Sequence, residues 1–521
     1  MLDYIRIKNL RSLEDTGNIK INPVTVLLGE NSSGKSTFLR TFPLLKQSVE
    51  TNTRSSVLWY GKYVDFGDFD QALNRNNDSK EISFTFGLTV PQQILINPLL
   101  WQRNHRRDPS GPTTKIVVDI RLTSRGKDGL TRTAGLKLSI ADNEVDIGIN
   151  DQGKISTLHI NGAEYSDYAD LFSYFQAVRL LPGIFAKHDP SEALMFSTWR
   201  SKNPPEKLRQ VILRKLSLYM HGKSGESAIA SAYSQIRIGS SKDMLTSFYR
   251  ASPTVTWRKR TEGMTHDCIE FKTIRDLVLL ARLPALIPEI DEVLNETFRR
   301  VSYTAPLRAS AERYYRSQDL SVGELDSKGE NLAMFVRNLS DREKQSLDNW
   351  TKQEFGFRLE VKYSGGHITA GIEYEGSGES FNLTDMGFGF SQVMPIIVQV
   401  WTLINKQARF KDGFTYTYLI EQPELHLHPR LQAKLAEALI RAVMQAKKHG
   451  MQINLILETH SEAIVNKIGL MMAAGEISNN DANIIIFSKE TEKSKTCVDL
   501  SKFDDDGILT NWPYGFFDIE V

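Results

Sequence analysis

The residues with the clearest chemistry form a glycine-rich segment near the N-terminus that leads directly into a lysine and a serine. From Gly29 to Ser36 the chain reads GENSSGKS, which fits the phosphate-binding pattern G-x-x-x-x-G-K-[ST] at every defined position. Gly29 and Gly34 let the backbone curl so that its N–H groups point at phosphate oxygens. Lys35 can then bind the β- and γ-phosphates and the Ser36 hydroxyl can bind Mg²⁺. The motif predicts ATP and Mg²⁺ as cofactors.

The flanking sequence supplies the elements that this motif needs. Val24 to Leu28 is a short run of β-formers, and residues 37–40 read as the start of a helix. A strand, a loop and a helix in this order are the structural context that gives the motif its meaning. Asn31 within the loop and Thr37 after it complete the predicted nucleotide-binding set.

Acidic residues follow a second predicted strand, 416–420. Glu421 comes directly after this strand and Glu424 follows three residues later. Side chains at the carboxyl ends of buried parallel strands face the crevice where ligands bind. Glu421 is therefore a candidate for holding Mg²⁺ and Glu424 for polarising the attacking water. A surface turn with solvated carboxylates is the alternative.

A histidine follows a third predicted strand, 453–457, within the segment Glu458-Thr-His-Ser461. His460 could hydrogen-bond a γ-phosphate or the attacking water, although a single histidine is often a capping or core residue. The catalytic candidates are therefore Glu421, Glu424 and His460. The three polar segments, each past a strand end, support one another.

The layout of the chain predicts an α/β protein with an insertion. Residues 1–165 read mainly as strands around the phosphate-binding loop, residues 166–300 as a basic helical insertion, and residues 301–521 as strands alternating with helices. Strands and helices alternating at this spacing imply a mostly parallel sheet. The helical segment is predicted from apolar spacing that begins at Leu171, Tyr174 and Phe175.

Charge is concentrated in the middle of the chain. Residues 200–260 hold thirteen Lys/Arg against three acidic residues, whereas the whole chain has a net charge of +1. Tyr219, Tyr233, Phe248, Tyr249 and Trp257 are interleaved with the basic residues, and Trp199 lies at the edge of the segment. This mixture suits backbone contacts and base stacking with DNA or RNA. A solvated helical face or a protein-binding surface is the alternative.

Composition limits the class of protein. With 521 residues the chain is long enough for two or three cores. Its beginning lacks the apolar region of a signal peptide, and we find no run of about 18 apolar residues that would cross a membrane. Cys268 and Cys497 are too few and too far apart for a disulfide framework or a zinc site. These features predict a cytoplasmic protein that does not contact membranes.

The motifs together resemble the ABC-type head ATPases related to RecF and the SMC proteins. The resemblance rests on the opening stretch 5–12, the phosphate-binding loop, the segment 419–429 as Walker B and D-loop, and the segment 457–462 as switch-histidine loop. Three further stretches resemble bacterial anti-phage ATPases of the PtuA kind, found in Septu-like and retron-associated systems: 305–308 with 313–316, 387–392 and 512–517. The implied fold is an ABC-type P-loop head.

The chain departs from the pattern of these heads at two places. Transporter-type heads have a catalytic glutamate after the Walker B acid, where this chain has Gln422. Either Glu424 replaces it, or hydrolysis is slow and ATP acts mainly as a clamp. The signature LSGGQ is absent, and the resemblance implies that 387–392 replaces it, with Gly389 and Ser391 serving the nucleotide of another subunit.

The resemblance implies a homodimer, or a higher even-numbered assembly, in which two heads sandwich two nucleotides. It also implies a separate effector, such as an HNH nuclease. The ATPase would act as a nucleotide-gated switch, because no nuclease cluster is evident in this chain. The alternative is a DNA-repair ATPase that acts directly on DNA. His426 and His428 could be read as a metal pair, but the resemblance makes them D-loop residues.

Overall fold

The computed structural model describes residues 1–75, 79–96, 111–125, 130–175, 179–187, 203–316, 322–374, 376, 378–410, 414–490, 495–504 and 506–510. The chain divides into two compact units, which are Met1–Asn18 with Leu44–Arg299, and Ile19–Pro43 with Arg300–Val521. One division falls inside helix α1 (Lys35–Glu50). The predicted boundaries of three segments stay a prediction, and the predicted stretch 512–517 lies outside the described residues.

The first unit contains a long antiparallel sheet. Its strands are β1 (Leu2–Leu10), β2 (Leu13–Asp15), β5 (Glu81–Pro91), β6 (Thr113–Arg125), β7 (Leu130–Ile140), β8 (Asn143–Ile149), β9 (Ile155–Ile160) and β10 (Ala163–Glu164). They lie in the order β10-β9-β8-β7-β6-β5-β1-β2. Leu136, Leu138 and Ile140 are all buried on one face, as their alternation predicts.

Helices form the rest of the first unit. They are α2 (Phe69–Ala72), α3 (Gln93–Ile96), α4 (Glu206–Ser217), α5 (Glu226–Gln235), α6 (Ser241–Tyr249), α7 (Val255–Thr261) and α8 (Ile269–Arg299). The helical prediction at Leu171, Tyr174 and Phe175 is wrong. A 3₁₀ helix ends at Leu171, and strand β11 (Phe172–Phe175) pairs with β12 (Gly183–Ala186). Three aromatic residues in a four-residue segment suit a strand. Three apolar residues at helical spacing are too few to establish a helical period.

Buried polar contacts join the helices of the first unit to its sheet. Asn161, in the turn after β9, donates to the Asp276 carboxylate of α8 at 2.7 Å. Tyr165 donates to the other oxygen of Asp276 at 3.2 Å, and Arg275 forms an ion pair with the same carboxylate. Asn143 of β8 donates to the carbonyl of Gly239 at 2.9 Å. The basic helical segment therefore packs on the β-rich segment within one compact unit.

The second unit contains a mostly parallel sheet. Its strands are β4 (Val24–Gly29), β13 (Val301–Thr304), β18 (Thr415–Glu421), β19 (Gln452–Glu458), β20 (Ala482–Glu490), β21 (Lys495–Phe503) and β22 (Leu509–Thr510), and the short β3 (Ile19–Lys20) precedes β4. The order is β13-β18-β19-β4-β20-β21-β22, with the first five strands parallel. The carboxyl ends of β4, β18 and β19 therefore meet at one edge.

Helices and a small antiparallel sheet complete the second unit. The elements are α9 (Leu332–Asn338), α10 (Asp341–Phe355), α11 (Phe388–Phe410), α12 (Pro429–Lys448), α13 (Glu462–Ala473), β14 (Tyr315–Arg316), β15 (Phe357–Ser364), β16 (His367–Tyr374) and β17 (Ser380–Asn382). Strands β15 and β16 pair as an antiparallel hairpin. Within the described ranges, only Phe388–Asn405 is long and apolar enough to cross a membrane, and 72% of it is buried, as is normal for a core helix.

The predicted α/β fold is confirmed by these sheets. The three strands that the sequence places before the polar segments are β4, β18 and β19, and they are neighbours or next neighbours in the parallel sheet. Each is apolar and buried along nearly its whole length, as expected for a strand that is covered on both faces.

Candidate active site

The phosphate-binding loop connects the end of β4 to the start of α1. Its backbone has positive φ angles at Gly29 (146°), Ser32 (61°) and Gly34 (104°). A Cβ at Gly29 would lie 2.0 Å from the carbonyl oxygen of Phe487 on the neighbouring strand β20. Only glycine fits at this position, because the strand end is packed directly against main chain.

Lys35 is the first residue of α1 and is 3% exposed. Its ammonium donates to the carbonyls of Gly29 at 2.8 Å and Glu30 at 2.6 Å. Burial lowers the pKa of Lys35, and the charges of Glu458, Glu30 and Glu424 act in the opposite direction. The ammonium thus lies within the loop with main-chain carbonyls as its hydrogen-bond partners, which leaves its positive charge available to an anion.

Two other predicted residues of the loop differ in exposure. Asn31 is exposed at the turn of the loop, whereas Thr37 is partly buried in the first turn of α1. The Thr37 carbonyl accepts a hydrogen bond from the Thr41 hydroxyl at 2.9 Å. Their predicted contacts with the nucleotide stay predictions.

Ser36 hydrogen-bonds to an acid that the sequence did not single out. Its hydroxyl donates to Oε1 of Glu458, the last residue of β19, at 2.6 Å. Burial raises the pKa of Glu458 to about 7, with the nearby charge of Glu421 acting in the same direction. The carboxylate beside the Ser36 hydroxyl therefore comes from β19, the strand next to β4.

Glu421, the acid that the sequence predicts to hold Mg²⁺, forms an ion pair with the guanidinium of Arg40. Arg40 donates to both oxygens of the Glu421 carboxylate, at 2.8 and 2.7 Å, and Tyr303 donates to one of them at 2.7 Å. Glu421 is only 2% exposed, so this pairing compensates a buried charge. The hydrogen bonds to the Glu421 carboxylate raise the pKa of Arg40.

Glu424 holds the histidine segment in place. Its two oxygens accept hydrogen bonds from the Thr459 hydroxyl and from the His460 main-chain N–H, each at 2.8 Å. Burial raises the pKa of Glu424, although these hydrogen bonds act in the opposite direction. The observed contacts of Glu424 position His460, while its predicted role toward water stays a prediction.

His460 lies just before helix α13, partly buried. Burial lowers its pKa, and the positive charge of Lys35 lowers it further. The imidazole is therefore uncharged near neutral pH and can donate one hydrogen bond and accept another. The following Ser461 caps α13 by accepting from the main-chain N–H of Ile464.

The turn after β18 has an unusual backbone. Gln422 and His426 have φ angles of 45° and 62°, in a region that side chains other than glycine seldom adopt. The Gln422 N–H donates to the carbonyl of Glu458 at 2.7 Å, and the Phe388 ring packs edge-on against His426 with centroids 4.6 Å apart. Such strained positions concentrate at functional sites.

The contacts of His426 and His428 do not support a metal-binding pair. His428 caps α12, where it accepts from the main-chain N–H of Arg430 at 3.3 Å. In the described part of the chain, no group of three or more His, Cys, Asp or Glu side chains could hold a metal ion.

The predicted signature-like segment begins α11. Gly389 packs so closely that a Cβ would lie 2.7 Å from the His426 carbonyl. Ser391 is only 6% exposed, whereas Gly387 and Phe388 before it are exposed. The predicted contact of Ser391 with a nucleotide on another subunit stays a prediction.

Gln392 and Arg308 connect that helix to the end of β18. The Gln392 carboxamide accepts from the Arg308 N–H at 3.1 Å and donates to the Arg308 carbonyl at 3.0 Å. The Arg308 guanidinium donates to the carbonyls of Glu421 at 2.7 Å and Gln422 at 3.4 Å. Burial lowers the pKa of Arg308 to about 10.

Four residues of this site were missed as site residues by sequence reasoning. Arg40 lies one helical turn after Ser36 on the same side of α1, a spacing that could have indicated it. Glu458 and Arg308 lie in segments that were quoted for their resemblance but given no chemistry. Tyr303 carries no signal in the sequence, because only the strand order brings β13 beside β18.

The comparison with known families decides the class of the protein. The sequence model described as the AAA ATPase domain matches residues 1–182 and 206–465, which is more than half of the chain. The chain belongs to the AAA ATPase domain family. Its phosphate-binding loop, Glu421, Glu424, Glu458 and His460 all lie within the matched residues.

Comparisons with individual proteins add little to the family assignment. One solved structure is the SMC head bound to the C-terminal winged-helix domain of ScpA, with 10% identity, a TM-score of 0.36, and coverage of 96% of this chain and 98% of that one. The SMC head domain from Thermotoga maritima has 8% identity, a TM-score of 0.33 and the same coverages. These scores are too low to carry an argument. No curated protein matches the chain.

The site of this AAA ATPase fits a nucleoside triphosphate and its cation. A buried ammonium at Lys35 and a curled loop with positive φ angles suit phosphate oxygens, and the Ser36 hydroxyl at the helix start suits a divalent cation. Acidic side chains and a neutral imidazole surround them. This arrangement can bind ATP and position water beside it.

Proposed function

We propose that this ATPase is a nucleotide-gated switch in the cytoplasm that controls a separate effector in anti-phage defence. Two copies would close on two ATP molecules, and closure or hydrolysis would hold or release the effector, such as an HNH nuclease. The observation that carries the ATPase chemistry is that Lys35, Ser36, Glu424 and His460 lie together at one edge of the parallel sheet. The resemblance to PtuA-like proteins supports the proposed control of a separate effector.

The residues of the site have distinct roles in this proposal. Lys35 and the loop N–H groups bind the phosphates, and the Ser36 hydroxyl faces the cation. When bound, Mg²⁺ supplies charge neutralisation for the phosphate oxygens. His460, neutral and held by Glu424, orients a water molecule through a hydrogen bond. Glu421 orients Arg40 and Tyr303 and supports the metal side of the site.

Slow turnover is part of the proposal. Gln422 stands where transporter-type heads carry a catalytic glutamate, and a carboxamide cannot accept a proton from water. Glu424 uses both carboxylate oxygens to hold Thr459 and His460. Neither Gln422 nor Glu424 therefore offers a free base to the attacking water. Such a site suits a clamp that ATP closes and that hydrolysis opens slowly.

A second function, a DNA-repair ATPase that acts directly on DNA, is favoured by one observation. Basic side chains of the helical segment are exposed, including Lys207, Arg214, Lys223, Lys242 and Arg258. Exposed cations at this density attract the phosphate backbone of nucleic acids. This function predicts ATP turnover that DNA stimulates without any effector.

ATP turnover by the isolated chain, with and without DNA, distinguishes the two functions. For the switch we expect slow turnover, on the order of one ATP per minute or less, that DNA does not change. Lys35→Ala should abolish nucleotide binding, and Glu424→Gln should lower turnover at least about tenfold while binding persists. The matched control is Glu462→Gln, because Glu462 is an exposed acid beside the same histidine segment.

Other outcomes would change the conclusion. Stimulation by DNA that is lost in both site variants would favour the repair-type ATPase. Failure of the wild-type chain to bind ATP would contradict both functions. A dimer should form only with ATP, and light scattering of the wild type and Lys35→Ala with and without ATP measures this directly.

A further inference from the structure

We propose that Glu458 is a ligand of the divalent cation in the nucleotide site, and that it is the principal protein carboxylate there in place of Glu421. This inference rests on the proposed binding of Mg-ATP and deepens it. It assigns a metal-binding role to a residue at the end of β19, on the strand that otherwise carries the histidine segment.

The first observation is the position of Glu458 beside Ser36. Its Oε1 atom accepts the Ser36 hydroxyl at 2.6 Å. The hydroxyl at this place in a phosphate-binding loop is the one that faces the cation. An acid that is hydrogen-bonded to this hydroxyl is within reach of the same cation, because one metal ion contacts oxygens only about 2–3 Å from itself.

The second observation is an unsatisfied oxygen. Glu458 is 2% exposed, and its Oε2 atom has no hydrogen-bond partner among the described residues. Buried carboxylate oxygens nearly always have partners, and leaving one without costs free energy. A cation bound beside Ser36 would satisfy this atom. Carboxylate and hydroxyl oxygens are the ligands that Mg²⁺ prefers, together with phosphates and water.

The third observation concerns Glu421, the other acid that could bind the cation. Glu421 lies directly opposite Glu458 in the register of β18 and β19. Its two oxygens already accept three hydrogen bonds, two from Arg40 and one from Tyr303. A carboxylate that is paired with a guanidinium offers a cation less negative charge than one that is not. Among the described residues, Glu458 has no such cationic hydrogen-bond partner. Its strand β19 lies next to β4, the strand that leads into the phosphate-binding loop.

Binding of Mn²⁺, followed by electron paramagnetic resonance, tests the inference without relying on activity. The protein is saturated with a non-hydrolysable ATP analogue, and the free Mn²⁺ signal is titrated for the wild type and for Glu458→Gln, Glu421→Gln and Glu462→Gln. We expect Glu458→Gln to weaken Mn²⁺ binding at least about tenfold. Glu421→Gln should weaken it less, and the exposed control Glu462→Gln should match the wild type.

Two further measurements separate metal binding from a purely structural role. Binding of the analogue in the presence of EDTA should be the same for the wild type and Glu458→Gln, because only the metal-dependent part of affinity depends on the carboxylate. Glu458→Asp keeps the charge but shortens the side chain, so its Mn²⁺ affinity should fall between the wild type and Glu458→Gln.

The inference is overturned if Glu458→Gln binds Mn²⁺ as the wild type does, or if Glu421→Gln has the larger effect. It is also overturned if Glu458→Gln and Glu458→Asp both lose the analogue in EDTA, because the residue then only holds the loop. These results differ from a failure of the proposed function, in which the wild-type chain itself would bind neither the analogue nor Mn²⁺.

Discussion

At the scale of single residues, buried carboxylates differ in how their charge is compensated. Glu421 has a guanidinium and a phenol, and Glu424 has a hydroxyl and a main-chain N–H. Asp291 of α8, in the other unit, is 4% exposed and accepts the Leu181 N–H at 2.9 Å. Burial raises the pKa of Asp291 to about 7, and the nearby charge of Arg179 opposes this. A carboxylic acid in this environment titrates near neutral pH.

Asp291→Asn should change how stability depends on pH. The folded protein retains the Asp291 proton up to about pH 7, whereas the unfolded chain loses it near pH 4. The contribution of Asp291 to the free energy of unfolding is therefore fully present below about pH 4 and is lost as the pH rises through about 7. The variant cannot ionise, so relative to the wild type it should gain about 3 kcal/mol between pH 5 and pH 8. Calorimetric unfolding at both pH values measures the gain, and an equal difference at both would contradict it.

At the scale of elements, the side chains of Gln392 and Arg308 together connect the signature-like helix α11 to the end of β18. Gln392 of α11 binds both main-chain groups of Arg308, and the Arg308 guanidinium binds the carbonyls at the end of β18. Nε and Nη1 of Arg308 have no hydrogen-bond partner in the described part of the chain. A movement of the start of α11 would therefore pull on the turn that contains Gln422 and Glu424. In the proposed dimer, this connection would transmit closure of the two subunits to the site.

Gln392→Leu should uncouple these elements. The change leaves the N–H and carbonyl of Arg308 buried without their side-chain partner, at a cost of about 1–3 kcal/mol. We expect the maximal ATP turnover to fall about tenfold while the KM for ATP stays the same, since the phosphate-binding loop is untouched. The control is Gln399→Leu, two turns further along the same buried helix, which should keep wild-type turnover. A raised KM with unchanged turnover would contradict the coupling.

At the scale of the whole molecule, the aromatic and the basic side chains of the basic helical segment differ in exposure. Three aromatic residues interleaved with the basic residues pack against one another: Phe248 and Trp257 are fully buried with ring centroids 5.0 Å apart, and Tyr219 packs on both. Phe248 and Trp257 are therefore not available for stacking on bases, because helical spacing brings large aromatic side chains to the inside of the unit. Basic residues of the same segment such as Lys207, Arg214 and Arg258 are exposed, where they can contact the phosphate backbone of a nucleic acid.

Reversing two of these charges tests nucleic-acid contact. Arg258 and Lys259 are exposed on α7, and the double variant Arg258→Glu, Lys259→Glu should bind single-stranded DNA about tenfold more weakly at low salt. The slope of log affinity against log salt should also decrease by about 1–2, in proportion to the lost phosphate contacts. The charge-matched control is Arg342→Glu, Lys448→Glu in the other unit. Equal losses in both variants would indicate a general effect of net charge, and no binding by the wild type would exclude this contact.

The sequence by itself determined the phosphate-binding loop, the strands that end in Glu421 and before His460, and the α/β class. These features are local: a glycine pattern, an apolar run and a polar residue past its end can all be recognised without knowing what lies beside them. The predicted strands 24–28, 416–420 and 453–457 are present as β4, β18 and β19, within a few residues of their predicted ends.

Only the tertiary structure decided which acid faces Ser36 and which is paired with Arg40. Both acids follow apolar strands, so their local sequences predict the same environment. The strand order places β19 next to β4 and β18 one strand further away, and this brings Glu458 to the Ser36 hydroxyl while Glu421 lies between Arg40 and Tyr303. Pairings between residues several hundred positions apart depend on the packing of the whole sheet, which no local pattern records.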